Sequence, residues 1–169
     1  MANKDISKEI SAKFGNQLRS RVNGILIEDG KILMIKHLMG NDRYFWSVPG
    51  GGMHFGHGAA ENLKREFLEE TGLHIEVKDY LFVHEYLDVP LHAMEHFFLV
   101  KRNGGKLIRG IDPELYPDSQ IIEEVKWMSI FEIQSLPHAA LHQIFWGINS
   151  LEDLVLLRGY FNFGNNSLK

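Results

Sequence analysis

Residues 51–73 read GGMHFGHGAAENLKREFLEETGL, and this stretch decides the fold. From Ala59 to Thr71 the pattern is helical, and Gly72 stands where a helix commonly ends on a left-handed residue. Glu66, Glu69 and Glu70 fall at i, i+3 and i+4, so one helix face projects all three. Carboxylates so placed repel one another, each pair by roughly 0.3 kcal/mol on an isolated helix. A bound hard cation turns that repulsion into attraction, and ligands that are all oxygen point to Mg²⁺, with Mn²⁺ as a substitute. Alone, the three glutamates describe a solvated acidic face. The run Pro49-Gly50-Gly51-Gly52 just upstream changes the weighting, because a glycine-rich loop brings backbone close to a ligand.

Outward from this stretch, Asp29-Gly30 separates two apolar runs, 21–28 and 31–38, a strong hairpin signal. Ile6, Ile10 and Phe14 are spaced for a helix over 5–14, with Asp5 as its cap. Residues 40–45 read as a polar turn and Trp46-Ser47-Val48 as a short extended run stopped by Pro49 and the glycines. Residues 75–87 and 92–101 read as strands with a turn near Asp88-Val89-Pro90, and Asn103-Gly104-Gly105 as a further tight turn. Residues 110–120, with Pro113 and Pro117, read as a loop, and 124–128 as a strand. Ser129 caps a helix over 130–135 that Pro137 ends, and helices are expected over 138–147 and 151–157. The expectation is one domain, a mixed sheet with helices packed on it.

The chain has 169 residues, the size of one ordinary domain. Hydrophobic residues at 44% supply a sizeable core, and charged residues at 24% keep the balance soluble and globular. The net charge of −4 argues against a nucleic-acid surface, and an acidic protein handling phosphates needs a cation. Cysteine is absent, which excludes disulfides, a thiolate metal site and a cysteine nucleophile, and fits a cytoplasmic setting. No apolar run has signal-peptide or membrane-spanning character.

The stretch resembles the Nudix box, G-x5-E-x7-R-E-U-x-E-E-x-G-U with U a bulky apolar residue. Gly51 supplies the first glycine, and Arg65-Glu66-Phe67-Leu68-Glu69-Glu70-Thr71-Gly72-Leu73 supplies the second half without a gap. The resemblance implies an α+β fold, an α/β/α sandwich with a central mixed β-sheet. It implies Mg²⁺-dependent hydrolysis of a nucleoside diphosphate linked to another group. Glu66, Glu69 and Glu70 would be metal ligands, with Gly51 beside them. Arg65 would orient a box carboxylate, and Gly52 would bring backbone near the diphosphate. One position departs: the first box glutamate is His57, which cannot give Arg65 a carboxylate. Glu61, four residues before Arg65, is a candidate replacement. The alternative to a hydrolase is a Nudix-fold nucleotide-binding module.

An additional base outside the box would come from Glu85, Glu95, Asp112, Glu114, Glu123 or Glu124. Lys36, His37 and Arg43 are candidates to face phosphates, and Tyr44, Phe55, Tyr86 and Trp127 to stack on a base. His84, His92 and His96 lie at strand spacing, but no third zinc ligand stands at a convincing distance in sequence. Pro90, 17 residues after Leu73, weights the family reading slightly toward ADP-ribose over a nucleoside triphosphate. The expected partner is a nucleotide-type small molecule, with no nucleic acid and no membrane. The first 20 residues and the apolar 151–163 tail are candidates for a homodimer contact.

Overall fold

The computed structural model describes residues 6–40 and 42–163. Helix α1 spans Ile6–Phe14, while the Asp5 cap lies outside the described residues. Strands β1 (Gln17–Ile25), β2 (Ile27–Glu28) and β3 (Lys31–Leu38) follow. Asp29 and Gly30 take φ of 50° and 72°, the left-handed pair that closes a two-residue hairpin. The hairpin's first arm is shorter than expected. At buried Leu26 the chain leaves one sheet for another, so only Ile27-Glu28 pair with β3.

After β4 (Tyr44–Ser47) the glycines form a strand, where the sequence suggests a loop. Gly50–Gly52 are β5, antiparallel to Arg21–Asn23. Helix α2 (Ala59–Thr71) ends on Gly72 at φ 71°, whose N–H donates to the Leu68 carbonyl. Strands β6 (Leu73–Asp88) and β7 (Leu91–Gly105) make a long hairpin turning at Val89-Pro90. Asn103-Gly104-Gly105 extend β7 instead of turning, with Gly104 and Gly105 opposite His74 and Leu73. A loop leads to β8 (Ile122–Met128), and Ser129 and Glu132 form a capping box that opens α3 (Ile130–Gln134).

The helix expected over 138–147 does not form. Two 3₁₀ turns, His138–Ala140 and Gln143–Phe145, flank an extended Leu141 that bridges to Trp46. The His142 N–H donates to the Trp46 carbonyl at 2.9 Å, so bonding to β4 replaces the helical ladder. Leu141, Ile144 and Phe145 are all buried, packed into the core from this extended and 3₁₀ backbone. Beyond α4 (Leu151–Leu156), β9 (Gly159–Phe161) pairs parallel with β6. The C-terminal extension over 138–160 is therefore α-helical only at α4.

One sheet has the order β5-β1-β7-β6-β9, and in the other β3 pairs with β2, β4 and β8. Parallel β1–β7 and β6–β9 pairs beside antiparallel ones make the first sheet mixed. The expected α+β class and helix-flanked mixed sheet are what the chain adopts. Strand β3 is buried on both faces: Ile32 and Met34 join the core cluster holding Phe82 and Leu154, and Leu33 joins the cluster under α2. Leu63 and Phe67, an i, i+4 pair on α2, are fully buried there. Each contributes roughly 2 kcal/mol of apolar burial, which seats the helix and fixes where its glutamates point.

Candidate active site

The cleft floor is written in strand register. Gly52, Arg21, Glu95 and His84 stand side by side on β5, β1, β7 and β6. One step along, Gly50, Asn23, Phe97 and Phe82 form the next row, and on the other side Arg19 adjoins Ala93 and Tyr86. Glu66 and Glu70 of α2 line the same cleft, as do Asp112 and Glu114 of the 106–116 loop. His37, Phe45 and His142 line the remaining side, and Ile10 and Phe14 of α1 complete it.

Glu66 and Glu70 are 6% and 4% exposed, too buried for a solvated acidic face. The Gly50 N–H donates to Glu70 Oε2 at 2.9 Å, and Arg65 donates to Glu66 Oε1 at 2.7 Å. Burial, joined by the Glu66 charge, raises the Glu70 carboxyl well above its ordinary value. Burial also raises Glu66, against the pull of Arg65. A Cβ on Gly51 would lie 2.4 Å from the Glu66 carboxyl carbon, so only glycine admits this approach. Buried, mutually repelling oxygen donors beside closely approaching backbone fit a hard divalent cation. Glu69 does not line the cleft; it accepts from Arg65 at 2.9 Å.

Arg65 needs no replacement partner. Besides Glu66 and Glu69, it donates to the Gly52 carbonyl at 3.2 Å and to Asn62 Oδ1 at 3.3 Å. Glu61 pairs with His57 at 2.9 Å, not with Arg65, and both are exposed. The work at this end falls to Asn62, which the sequence reading passed over. Its amide donates to the His57 and Gly58 carbonyls, and its oxygen accepts the His54 N–H.

The 106–116 loop is docked on the end of α2. The N–H groups of Ile108, Gly110 and Ile111 donate to the carbonyls of Thr71, Glu70 and Glu69, which a helix end leaves unpaired. This brings in Asp112, whose carboxyl burial raises. Arg19 is lowered to about 10, by burial first and then by the Arg21 charge.

A NUDIX domain model matches residues 17–145. The chain belongs to this family. An ADP-ribose pyrophosphatase of Methanocaldococcus jannaschii is 31% identical over 121 residues, covering 70% of this chain and 64% of the relative. The chain thus spans less than two thirds of that relative's length. A UDP-X diphosphatase structure shares the fold with a TM-score of 0.65 at 17% identity, covering 95% of this chain and 76% of its own. A MutT NUDIX hydrolase from Burkholderia pseudomallei gives 0.60 at 25% identity, over 73% of this chain and 93% of its own.

Within the NUDIX domain the predicted residues divide. Glu66, Glu70, Gly51 and Gly52 meet in the cleft, and Arg65 braces them from the side. Glu95, Asp112, Glu114, His37 and Tyr86 also line it. Arg43, Tyr44 and Glu124 stand outside the lining. Arg43 is in the exposed turn before β4, Tyr44 lies under the Lys36 ammonium at 4.7 Å, and Glu124 is exposed on β8. Lys36 is committed to Glu123 at 2.6 Å. Phe55 is fully exposed, and Trp127 packs against the core under α2. The cleft's cations are Arg19 and Arg21, which the sequence analysis did not single out. Their alternation with buried Val22 along β1 was the available signal. His92 and His96 bond separately to Glu85 and Tyr80, while His84 joins Glu95 and the distant His142.

Proposed function

We propose that this NUDIX-domain chain is a divalent-cation-dependent pyrophosphohydrolase for a nucleoside diphosphate linked to a second group, with ADP-ribose the first candidate. One observation carries the reading: buried Glu66 and Glu70 share a cleft with Arg19 and Arg21, an acidic cation site beside fixed positive charge. Glu66 and Glu70 would hold Mg²⁺ or Mn²⁺, with Glu69 at the side anchoring Arg65. The cation supplies charge neutralisation at the diphosphate oxygens and acidification of an attacking water. Arg19 and Arg21 orient the phosphates, and the Gly50–Gly52 edge lets them lie close to backbone. Asp112, which lines the cleft with its carboxyl raised by burial, would accept the proton. Tyr86 and Phe45 offer aromatic surface to the nucleoside. The M. jannaschii relative's name and Pro90 favour ADP-ribose over a nucleoside triphosphate.

The binding-module reading rested on His57. Arg65 is fully engaged without a glutamate there, and exposed His57 stands apart from the cleft, so that support is gone. Chromatography of products with and without Mg²⁺ tests the proposal. Hydrolysis of ADP-ribose gives AMP and ribose phosphate, whereas a nucleoside triphosphate gives a monophosphate and pyrophosphate. Absence of Mg²⁺-dependent products from either class would refute it.

A further inference from the structure

Glu95 sits on β7 between Arg21 of β1 and His84 of β6, and it is buried with His84 and His142. Its Oε2 faces two imidazoles, His142 Nε2 at 2.7 Å and His84 Nδ1 at 3.1 Å. Its Oε1 faces Arg21 Nε at 3.7 Å.

Two histidines and a glutamate within reach of one another are also the makings of a zinc site. The surrounding hydrogen bonds oppose it. His142 Nδ1 accepts the Ile144 N–H at 3.2 Å. A neutral imidazole has one N–H, so that of His142 is on Nε2 and donates to Glu95. A metal on Nε2 would move the proton to Nδ1, against the Ile144 N–H. His84 Nε2 is buried without a hydrogen-bond partner. A metal on its Nδ1 would leave a buried N–H there, where ligating histidines normally find an acceptor. The cluster is better suited to hold a carboxylate than a cation.

We propose that Glu95, fixed by His142 and His84, is a positioning residue that holds the Arg21 guanidinium in the cleft to meet the substrate's diphosphate. This rests on reading the cleft as a diphosphate site. Arg21 lies within the electrostatic reach of both Glu66 and Glu70. Without a further anion beside it, the guanidinium is drawn toward those carboxylates. Glu95 supplies that anion from the neighbouring strand. The two imidazoles on Oε2 hold the carboxylate in one orientation, so Arg21 is preorganised rather than recruited.

The test is ADP binding by calorimetry in Mg²⁺-free buffer, which needs no turnover. Glu95→Gln and Arg21→Ala are each expected to weaken ADP by about tenfold or more, the scale of losing one hydrogen bond to a charged group. In the Arg21→Ala background, Glu95→Gln is expected to add less than about twofold, because Glu95 acts through Arg21. In parallel, Glu95→Gln is expected to raise KM for ADP-ribose by a larger factor than it lowers kcat. Additive losses, an unchanged ADP affinity in Glu95→Gln, or no ADP binding by the unmodified protein would each overturn the proposal. Coupled ADP binding without hydrolysis of any diphosphate would sink the hydrolase reading and leave this one standing. Turnover with additive losses would do the reverse. Should Glu95→Gln not fold, His142→Leu removes one donor to Glu95. Its smaller ADP loss must also vanish in the Arg21→Ala background, and persistence there overturns the proposal.

Discussion

Glu70 carries two opposing demands. It is buried, close to a second carboxylate, and the hydrogen bond from the Gly50 N–H only partly compensates. In the cation-free protein that arrangement costs stability, and it is retained at the point where a cation would repay it. Glu70→Gln keeps the shape and an acceptor for Gly50 while removing the charge. Its kcat is expected to fall by at least ~10²-fold, the scale of losing one group that stabilises charge in the transition state. Its melting temperature in Mg²⁺-free buffer is expected to equal or exceed that of the unmodified protein. Turnover near the unmodified level would remove Glu70 from the site, and a large fall in melting temperature would show that its charge is structural. At this scale the box was legible, because Glu66, Glu70, Arg65 and Gly51 are local in sequence and helical spacing places them. Arg21 and Arg19 were not, because arginines alternating along a strand also read as its solvated face.

Among the elements, α2 and the loop docked on its C-terminal end act as one unit. The loop donates three N–H groups to the helix's last carbonyls and thereby brings Asp112 and Glu114 into the cleft with Glu66 and Glu70. Gly110 permits the contact: a Cβ there would lie 1.9 Å from the Glu69 carbonyl oxygen. Gly110→Ala is expected to lift the loop, lowering stability by about 1–3 kcal/mol through the lost carbonyl partners. Activity should fall by more than the stability loss explains, because Asp112 leaves with the loop. Gly58→Ala is the control, since a Cβ there meets nothing within 4 Å. Equal chemical-denaturation midpoints for the two variants would refute the docking argument. Sequence gave α2 and its Gly72 end through periodicity and cap chemistry. It misassigned Gly50–Gly52 and Asn103–Gly105, because glycine signals a turn unless a neighbouring strand supplies the pairing. It misassigned 138–147 because the partner that extends Leu141 is Trp46, nearly a hundred residues away in the chain.

For the whole molecule, what decides the site is the register of β1 against β7, a parallel pairing between segments far apart in sequence. That register sets Arg21 beside Glu95, and no local pattern could have announced it. The order of strand and helix patterns did foretell a mixed sheet with helices, because several strands and one strongly amphipathic helix leave few ways to bury their apolar faces. The assembled cleft also has a pH consequence. His37 reaches it from β3, in the other sheet, and burial, followed by the Arg21 charge, lowers its imidazole to about 4 against an opposing hydrogen bond to the Phe45 backbone. A depressed value means that the fold binds the neutral ring. The contribution is present above the unfolded value of about 6.5 and is lost as pH falls toward about 4. Raised carboxyls at Glu66, Glu70 and Asp112 act in the opposite direction over acidic pH, so the total profile does not isolate His37. A difference between two proteins does. His37→Gln removes the titrating group and leaves the carboxyls. Melting temperatures of the two in Mg²⁺-free buffer are expected to keep a constant offset above pH 6.5. Below it the gap should change, the unmodified protein falling more steeply down to about pH 4. Curves that stay parallel across that window would mean that His37 titrates normally and is not held neutral by the cleft.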